Sequence, residues 1–295
     1  MRHKLLLLTV SSLLAACRPS TTDTQDMSNS NIEDLSDVVD LSQPKTVVPT
    51  TIRYLNSVQD TIKVGDRVRV TGVVTSPLRW VSADTNAGYC YYRLHVAQVE
   101  PAPATLQDGM VLILSLKMSN WADGSTLTQC KDRGKNDPVA TAMDAATAGQ
   151  QVEIEGTFDT RTNCGAKTRQ INLFGGKLTS QGMAVTMPTP VDVDPTQYPV
   201  ATGSPAVLSQ KFVDGHAALV RFSNVKSYGR STQYQDFSVS PTGVAPGALI
   251  ATNYLRATGS YTSLPDGTTY KTVVGVLLGD FCGTVWPRTT ADLTQ

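Results

Sequence analysis

One stretch, DPVATAMDAATAG at residues 137–149, most constrains what this chain can fold into. Asp137 can cap a helix, Pro138 suits the first helical position, the interior is rich in alanine, and Gly149 can end it. The residues on either side follow another period. GDRVRVTGVVTSP (65–77), YCYYRLHVAQV (89–99) and MVLILSLKM (110–118) precede it, and QVEIEGTF (151–158) and QINLFGGKL (170–178) follow. In the first of these, Val68 and Val70 alternate with Arg67, Arg69 and Thr71, the period-two pattern of a half-buried strand. In the second, Cys90, Tyr92, Leu94 and Val96 share one face, and Tyr89, Tyr91, Arg93 and His95 the other. The third is nearly all apolar, which predicts a central strand. Three strands, a helix of about ten residues and two more strands is a restrictive order.

That order belongs to the OB-fold, a five-stranded Greek-key barrel with its helix between strands three and four. A generic β-sandwich is the alternative, and the helix at that place favours the barrel. Before the first strand, TIRYLNS sets Ile52 and Leu55 one helical turn apart. After the fifth comes a proline-rich connector, MPTPVDVDPTQYPVATGSP, which predicts a semi-rigid spacer or a path across a barrel surface. A second strand set begins near His216 with HAALVRFSNVKSY and continues through QDFSVS, GALIATNYL and TTYKTVVGVLLGDF to CGTVWPRTTADL. Setting EIEGTFDTRTNCG against TVVGVLLGDFCG aligns Gly156 with Gly275 and Cys164 with Cys282, given a one-residue gap. The expected class is mainly β, with two OB-like Greek-key β-barrels. The first spans 51–186 and holds the helix between strands three and four; a connector covers 187–205; a smaller second barrel, with no clear helix, covers 206–295.

The N-terminus reads as an address. MRHKLLLLTVSSLLAAC has a basic start, an apolar run and small residues before Cys17, the layout of a secretory signal over residues 1–16. Its run of about a dozen apolar residues is short of the roughly 20 that span a bilayer. The ending LLAAC resembles the bacterial lipoprotein signature, with Leu14, Ala15, Ala16 and Cys17 in the lipobox. The resemblance implies lipidation of Cys17 and cleavage before it; an ordinary signal peptide with an incidental cysteine is the alternative. Arg18, where an aspartate would retain a lipoprotein at the inner membrane, implies the outer membrane by enteric sorting rules. Residues 17–50 are polar, acidic and free of aromatic side chains, which predicts a flexible tether, with a short docking helix over NIEDLSDVVDL as the alternative.

Four segments together, TIRYLNS…VGDRVRVTGVVTSP, AGQQVEIEGTF, VATGSPAVLSQKFVDGHAALVRFSNV and VVGVLLGDF…WPRTTADL, resemble OB-like modules of secreted bacterial lipoproteins and of proteins where they stand beside extracellular nuclease domains. The resemblance covers most of residues 51–295 and rests on strand and turn patterns, so it speaks to fold. No nuclease domain is recognisable here, and no catalytic residue carries over.

Composition narrows function further. Without Arg2 and Lys4 the chain holds 23 basic against 25 acidic residues. A protein that lives by neutralising phosphates shows a basic excess, so single-stranded nucleic acid is the less favoured partner. His95 and His216 lack zinc spacing, and HExxH, Walker and GxSxG motifs are absent. No catalytic residue, metal or cofactor is expected; His95 reads as a surface strand residue. The loop WADGSTLTQCKDRGKND holds Asp123, Asp132 and Asp137 without EF-hand spacing and reads as a polar loop rather than a calcium site. The candidate ligand face is Arg67, Arg69, Arg79, Trp80, Tyr91 and Arg93, basic and aromatic groups on strands one and two; an ordinary solvated exterior is the competing reading. Export allows disulfides, and the expected pair is Cys130–Cys164, leaving Cys90 and Cys282 as buried thiols or a link between barrels. The expected function is a lipid-anchored cell-envelope protein acting as a non-enzymatic binding or interaction module, with an envelope protein or glycan as partner. A hydrolase with an unrecognised site and a structural subunit of a surface assembly are the alternatives.

Overall fold

The computed structural model describes residues 46–57, 61–76, 80–84, 88–117, 127–184, 186–201, 206–252, 255–256, 261–279 and 282–295. The signal, Cys17 and nearly all of the tether lie outside the described residues.

The fold is mainly β. Its first sheet contains β1 (Val48–Pro49), β2 (Arg67–Val74), β3 (Trp80–Asp84), β4 (Tyr89–Ala97), β5 (Gly109–Lys117), β6 (Gln150–Asn163) and β7 (Ala166–Met183). β2 pairs with both β6 and β4, so β2–β6–β7–β5–β4 closes into a five-stranded barrel. Only β5 and β7 run parallel within that ring. Helices α1 (Ile52–Asn56), α2 (Leu127–Lys135) and α3 (Pro138–Ala145) accompany it. The alternation places side chains as expected: Val68, Val70, Cys90, Tyr92, Leu94 and Val96 are buried in one core. α3 starts where the sequence marks it, with the Asp137 carboxylate accepting from the Val139 and Ala140 amides at 2.9 Å.

One local expectation is corrected, one strand is added, and one open alternative is resolved. The stretch at 127–135, read as loop, is helix α2; Cys130 and Gly134 on it are buried, and a Cβ on Gly134 would stand 2.7 Å from the Tyr92 ring. α2 forms because tertiary contacts hold it, not because of an apolar stripe. β3 folds back on β4 as a hairpin that the sequence did not announce. Of the two readings of the connector, the path across a barrel surface is the one seen: Val191 pairs with Val220, Pro199 bridges to Ala248, and Tyr198 is buried in the second core.

The second sheet contains β8 (Val191–Asp192), β9 (Leu219–Tyr228), β10 (Phe237–Ser240), β11 (Ala248–Ile250), β12 (Thr269–Leu278), β13 (Thr284–Trp286) and β14 (Leu293–Thr294). β9–β12–β13–β11–β10 closes into a ring, again with one parallel pair, β11 with β13. Each ring is preceded by a two-residue strand parallel to its first strand and by a short helix, α4 (Gln210–Asp214) being the second counterpart of α1. The aligned glycines hold equivalent positions: Gly156 faces Val68 and Gly275 faces Val220. A Cβ would lie 2.5 Å from Ile171 at the first and 2.7 Å from Val285 at the second, so both are demanded by close strand approach.

The two rings share a seam. Val111 of β5 packs with Ala217, Leu219, Val276, Leu278 and Trp286 of the second ring in one buried cluster. Backbones nearly touch there, since a Cβ on Gly109 would lie 2.1 Å from the Ala217 carbonyl carbon. The expected Cys130–Cys164 pair is also corrected: the bonds are Cys90–Cys130 and Cys164–Cys282. Cys130 rides on α2 over the first core, where the Tyr92 hydroxyl donates to its carbonyl, whereas Cys164 sits in the β6–β7 turn and packs against the second core.

Candidate functional site

The register of β2 and β4 splits the expected ligand face. These strands pair only at Val73 with Ala97 and Val74 with Val96. Arg69 lies four residues back along β2 and Arg93 four residues back along β4, in opposite directions. At strand rise that separates them by about 27 Å. Arg93 points outward, because its neighbours Tyr92 and Leu94 are in the core, yet it is only 6 % exposed. His95 is fully buried too, which corrects its reading as a surface residue. Its cross-strand partner is Val111, a seam residue, so the exterior of β4 and β5 is covered by the second ring there. Tyr91 is half-buried and stacks with Tyr89 at 6.2 Å between ring centroids. Trp80 opposes Arg93 in backbone register, and its side chain, like all of Arg79, lies outside the described residues.

The other half of the expected face holds together. On the exterior of β2, β6 and β7, cross-strand rows run Arg67–Thr157–Asn172, Arg69–Glu155–Lys177 and Thr71–Glu153–Thr179. Glu155 takes one ion pair from Arg67 and one from Arg69, each at 3.1 Å. The hydrogen bond from Arg69, aided by Arg67 and opposed by desolvation, holds the Glu155 carboxyl below its ordinary range. Arg69 keeps about half of its side chain in solvent and has donors to spare beyond its bond to Glu155.

Beside this pair β7 bulges. Opposite the single residue Gly156, β7 carries Leu173–Gly176. The bulge is pinned on both sides of Phe174: its amide donates to Asn172 Oδ1 at 2.9 Å, and Arg67 Nη2 donates to the Gly175 carbonyl at 3.0 Å. Gly175 is left-handed at φ 65°, as a turn of this kind needs. Phe174 is thereby 68 % exposed, whereas Phe158, Phe212, Phe222 and Phe237 are buried. Sequence reasoning missed Phe174; the signal available was the Gly-Gly pair after it, which marks a bulge inside a strand. An exposed ring beside a half-free guanidinium can stack on a flat face and hold an anion or hydroxyl at its edge.

The remaining candidates have structural work. Asp137 caps α3, Asp132 pairs with Lys135 at 2.7 Å, and His216 Nδ1 accepts from the Gly279 amide at 3.1 Å. Asp123 lies outside the described residues. Among the described residues, no group of three His, Cys, Asp or Glu is placed to hold a metal ion, and no helix is long and apolar enough to cross a membrane.

No family model and no curated protein matches the sequence. Among solved structures, the chain is similar to a Plasmodium falciparum SSB in complex with ssDNA, at 14 % identity over 41 % of this chain and 98 % of that one, TM-score 0.25. It is also similar to a deletion mutant of the single-stranded DNA binding protein from Thermus aquaticus, at 13 % identity over 76 % and 92 %, TM-score 0.23. The wild-type protein of that organism gives 12 % identity over 75 % and 89 %, TM-score 0.20.

Proposed function

We propose that this chain is a lipid-anchored cell-envelope protein whose two OB-like barrels act as one non-enzymatic binding module. The observation that carries the reading is Phe174, held exposed by a pinned bulge beside Arg67 and Arg69 on a three-strand face. Bulges recur next to functional sites, where they re-aim a side chain, and this one holds a ring in solvent beside two cations. The second barrel occupies part of the β4–β5 exterior of the first, while Arg69, Phe174, Lys177 and Thr179 on the β2–β6–β7 exterior stay exposed. The basic start, apolar run and lipobox support export and anchoring, and two disulfides support an oxidising compartment. Among the described residues the histidines, His95 and His216, are buried, which speaks against a hydrolase that would present one of them to substrate.

Two experiments test this. Cys17→Ser in the full chain is expected to lose lipoprotein processing and membrane association; a mutant still processed and recovered with the membrane overturns the anchor. The soluble body, residues 46–295, titrated against oligonucleotide, glycan and peptidoglycan-fragment panels, is expected to bind at least one and to hydrolyse none. Turnover of any panel member by the purified body overturns the non-enzymatic reading.

A further inference from the structure

We infer that the Phe174 face binds an acidic polysaccharide, with a sugar ring stacked on Phe174 and its carboxylates met by Arg69 and Lys177. This rests on the binding-module reading and adds the ligand class. Three features choose the class. The first is Glu155, fixed between two guanidiniums at 3.1 Å and held ionised by them. A carboxylate is an acceptor only. It accepts from the hydroxyl donors of a sugar, and because Arg67 and Arg69 already balance its charge, Lys177 and the spare donors of Arg69 remain for an anionic group on the same ligand.

The second is the surrounding row of groups. Thr71 and Thr179 are exposed, and Thr157 and Asn172 half-exposed, on the same three strands. Hydroxyls and an amide that both donate and accept suit a polyhydroxylated ligand better than a nucleobase face. The third is charge spacing. Arg69 and Lys177 flank Glu155 on neighbouring strands, so their backbones stand two strand spacings apart, about 10 Å. Two cations rooted on separate strands suit a chain that bears carboxylates on more than one ring. Arg67, Arg69 and Lys177 against Glu153 and Glu155 leave the three rows of the face net positive by one, three cations less two carboxylates. That is complementarity to a sparsely charged polyanion.

The test uses the soluble body in calorimetric titrations with polygalacturonate, with dextran as the neutral polysaccharide, and with an oligothymidylate. Polygalacturonate is expected to bind at least about tenfold more tightly than either of the others. Phe174→Ala, at an exposed position that folding does not need, is expected to weaken it about tenfold. Arg69→Ala/Lys177→Ala is expected to flatten the dependence of affinity on salt, which a merely structural role would leave intact. Absent polygalacturonate binding, or unchanged affinity in Phe174→Ala, overturns the proposal. Oligothymidylate binding more tightly than polygalacturonate, and weakened by Phe174→Ala, overturns the ligand class and leaves the binding module standing. Binding of dextran or oligothymidylate that Phe174→Ala does not touch also leaves the module and removes this face. No binding to any of the three, nor to peptidoglycan fragments, overturns both.

Discussion

Glu155 serves two arginines, and that decides how the first barrel responds to acid. Its folded carboxyl titrates below the usual value of 4.5 because the ionised form is hydrogen-bonded by Arg69 and Arg67. Such a group contributes stability that is fully present above the unfolded value and is lost as pH falls through the folded one. Glu155→Gln is therefore expected to lower stability at neutral pH and to flatten the acid limb below 4.5, read from thermal melts across the acid range. Asp236 has the opposite sign. Burial raises its carboxyl, against hydrogen bonds from the Thr252 amide and hydroxyl at 2.8 and 3.0 Å. Its contribution is greatest below the usual 3.8 and diminishes as pH rises toward the folded value. Asp236→Ala strands Thr252 and is expected to cost about 1–3 kcal/mol at neutral pH. Asp236→Asn keeps an acceptor and is expected to cost much less; equal losses in chemical denaturation would show that the hydrogen bonds do not matter.

At the scale of elements, the β7 bulge separates two adjacent glycines by their reasons. Gly175 is left-handed with open space around it, so Gly175→Ala is expected to cost only about 1–2 kcal/mol of backbone strain. A Cβ on Gly176 would lie 2.2 Å from the Glu155 carbonyl oxygen, so Gly176→Ala must move a strand and is expected to cost more. Denaturation midpoints of the two variants check the order, and the reverse order would refute this account of the bulge. The period-two strands and the Asp-Pro start of α3 were legible because each depends on residues a few positions apart. α2 was not, because its hold on the barrel is Cys130 bonded to Cys90 and Gly134 beneath the Tyr92 ring, contacts made across the sequence. Phe174 was half legible: alternation with Ile171 and Leu173 points it outward, while the register that sets it beside Arg67 does not appear in any local pattern.

For the whole molecule, the seam makes two rings one body. Gly109→Ala puts a methyl group into the Ala217 backbone and is expected to part the rings without opening either one. The expected readout is two unfolding transitions in calorimetry where the parent has one; a single unshifted transition would mean that the seam yields. The chain-entropy estimate gives about 4 kcal/mol for Cys90–Cys130 and about 5 kcal/mol for Cys164–Cys282. Cys164→Ser/Cys282→Ser is therefore expected to lose up to about 5 kcal/mol, checked by chemical denaturation. The seam explains why the expected face failed on β4. Alternation gives the direction in which Arg93 and His95 point, but what stands in front of them is decided by residues 217–286, more than a hundred positions downstream.

The Cys164–Cys282 bond also fixes how the body bears a load. The bond closes 118 residues, and β9 through β12 lie inside that loop. A pull between residue 46 and residue 295 travels through the two sulfurs and bypasses the loop. About 400 Å of chain, at the extended length per residue, is withheld from the force. Pulled at its two ends, the second barrel has little thread to yield until the bond is cut, so a stretched molecule lengthens first from the chain between residue 46 and Cys164, less the loop that Cys90–Cys130 withholds in the same way.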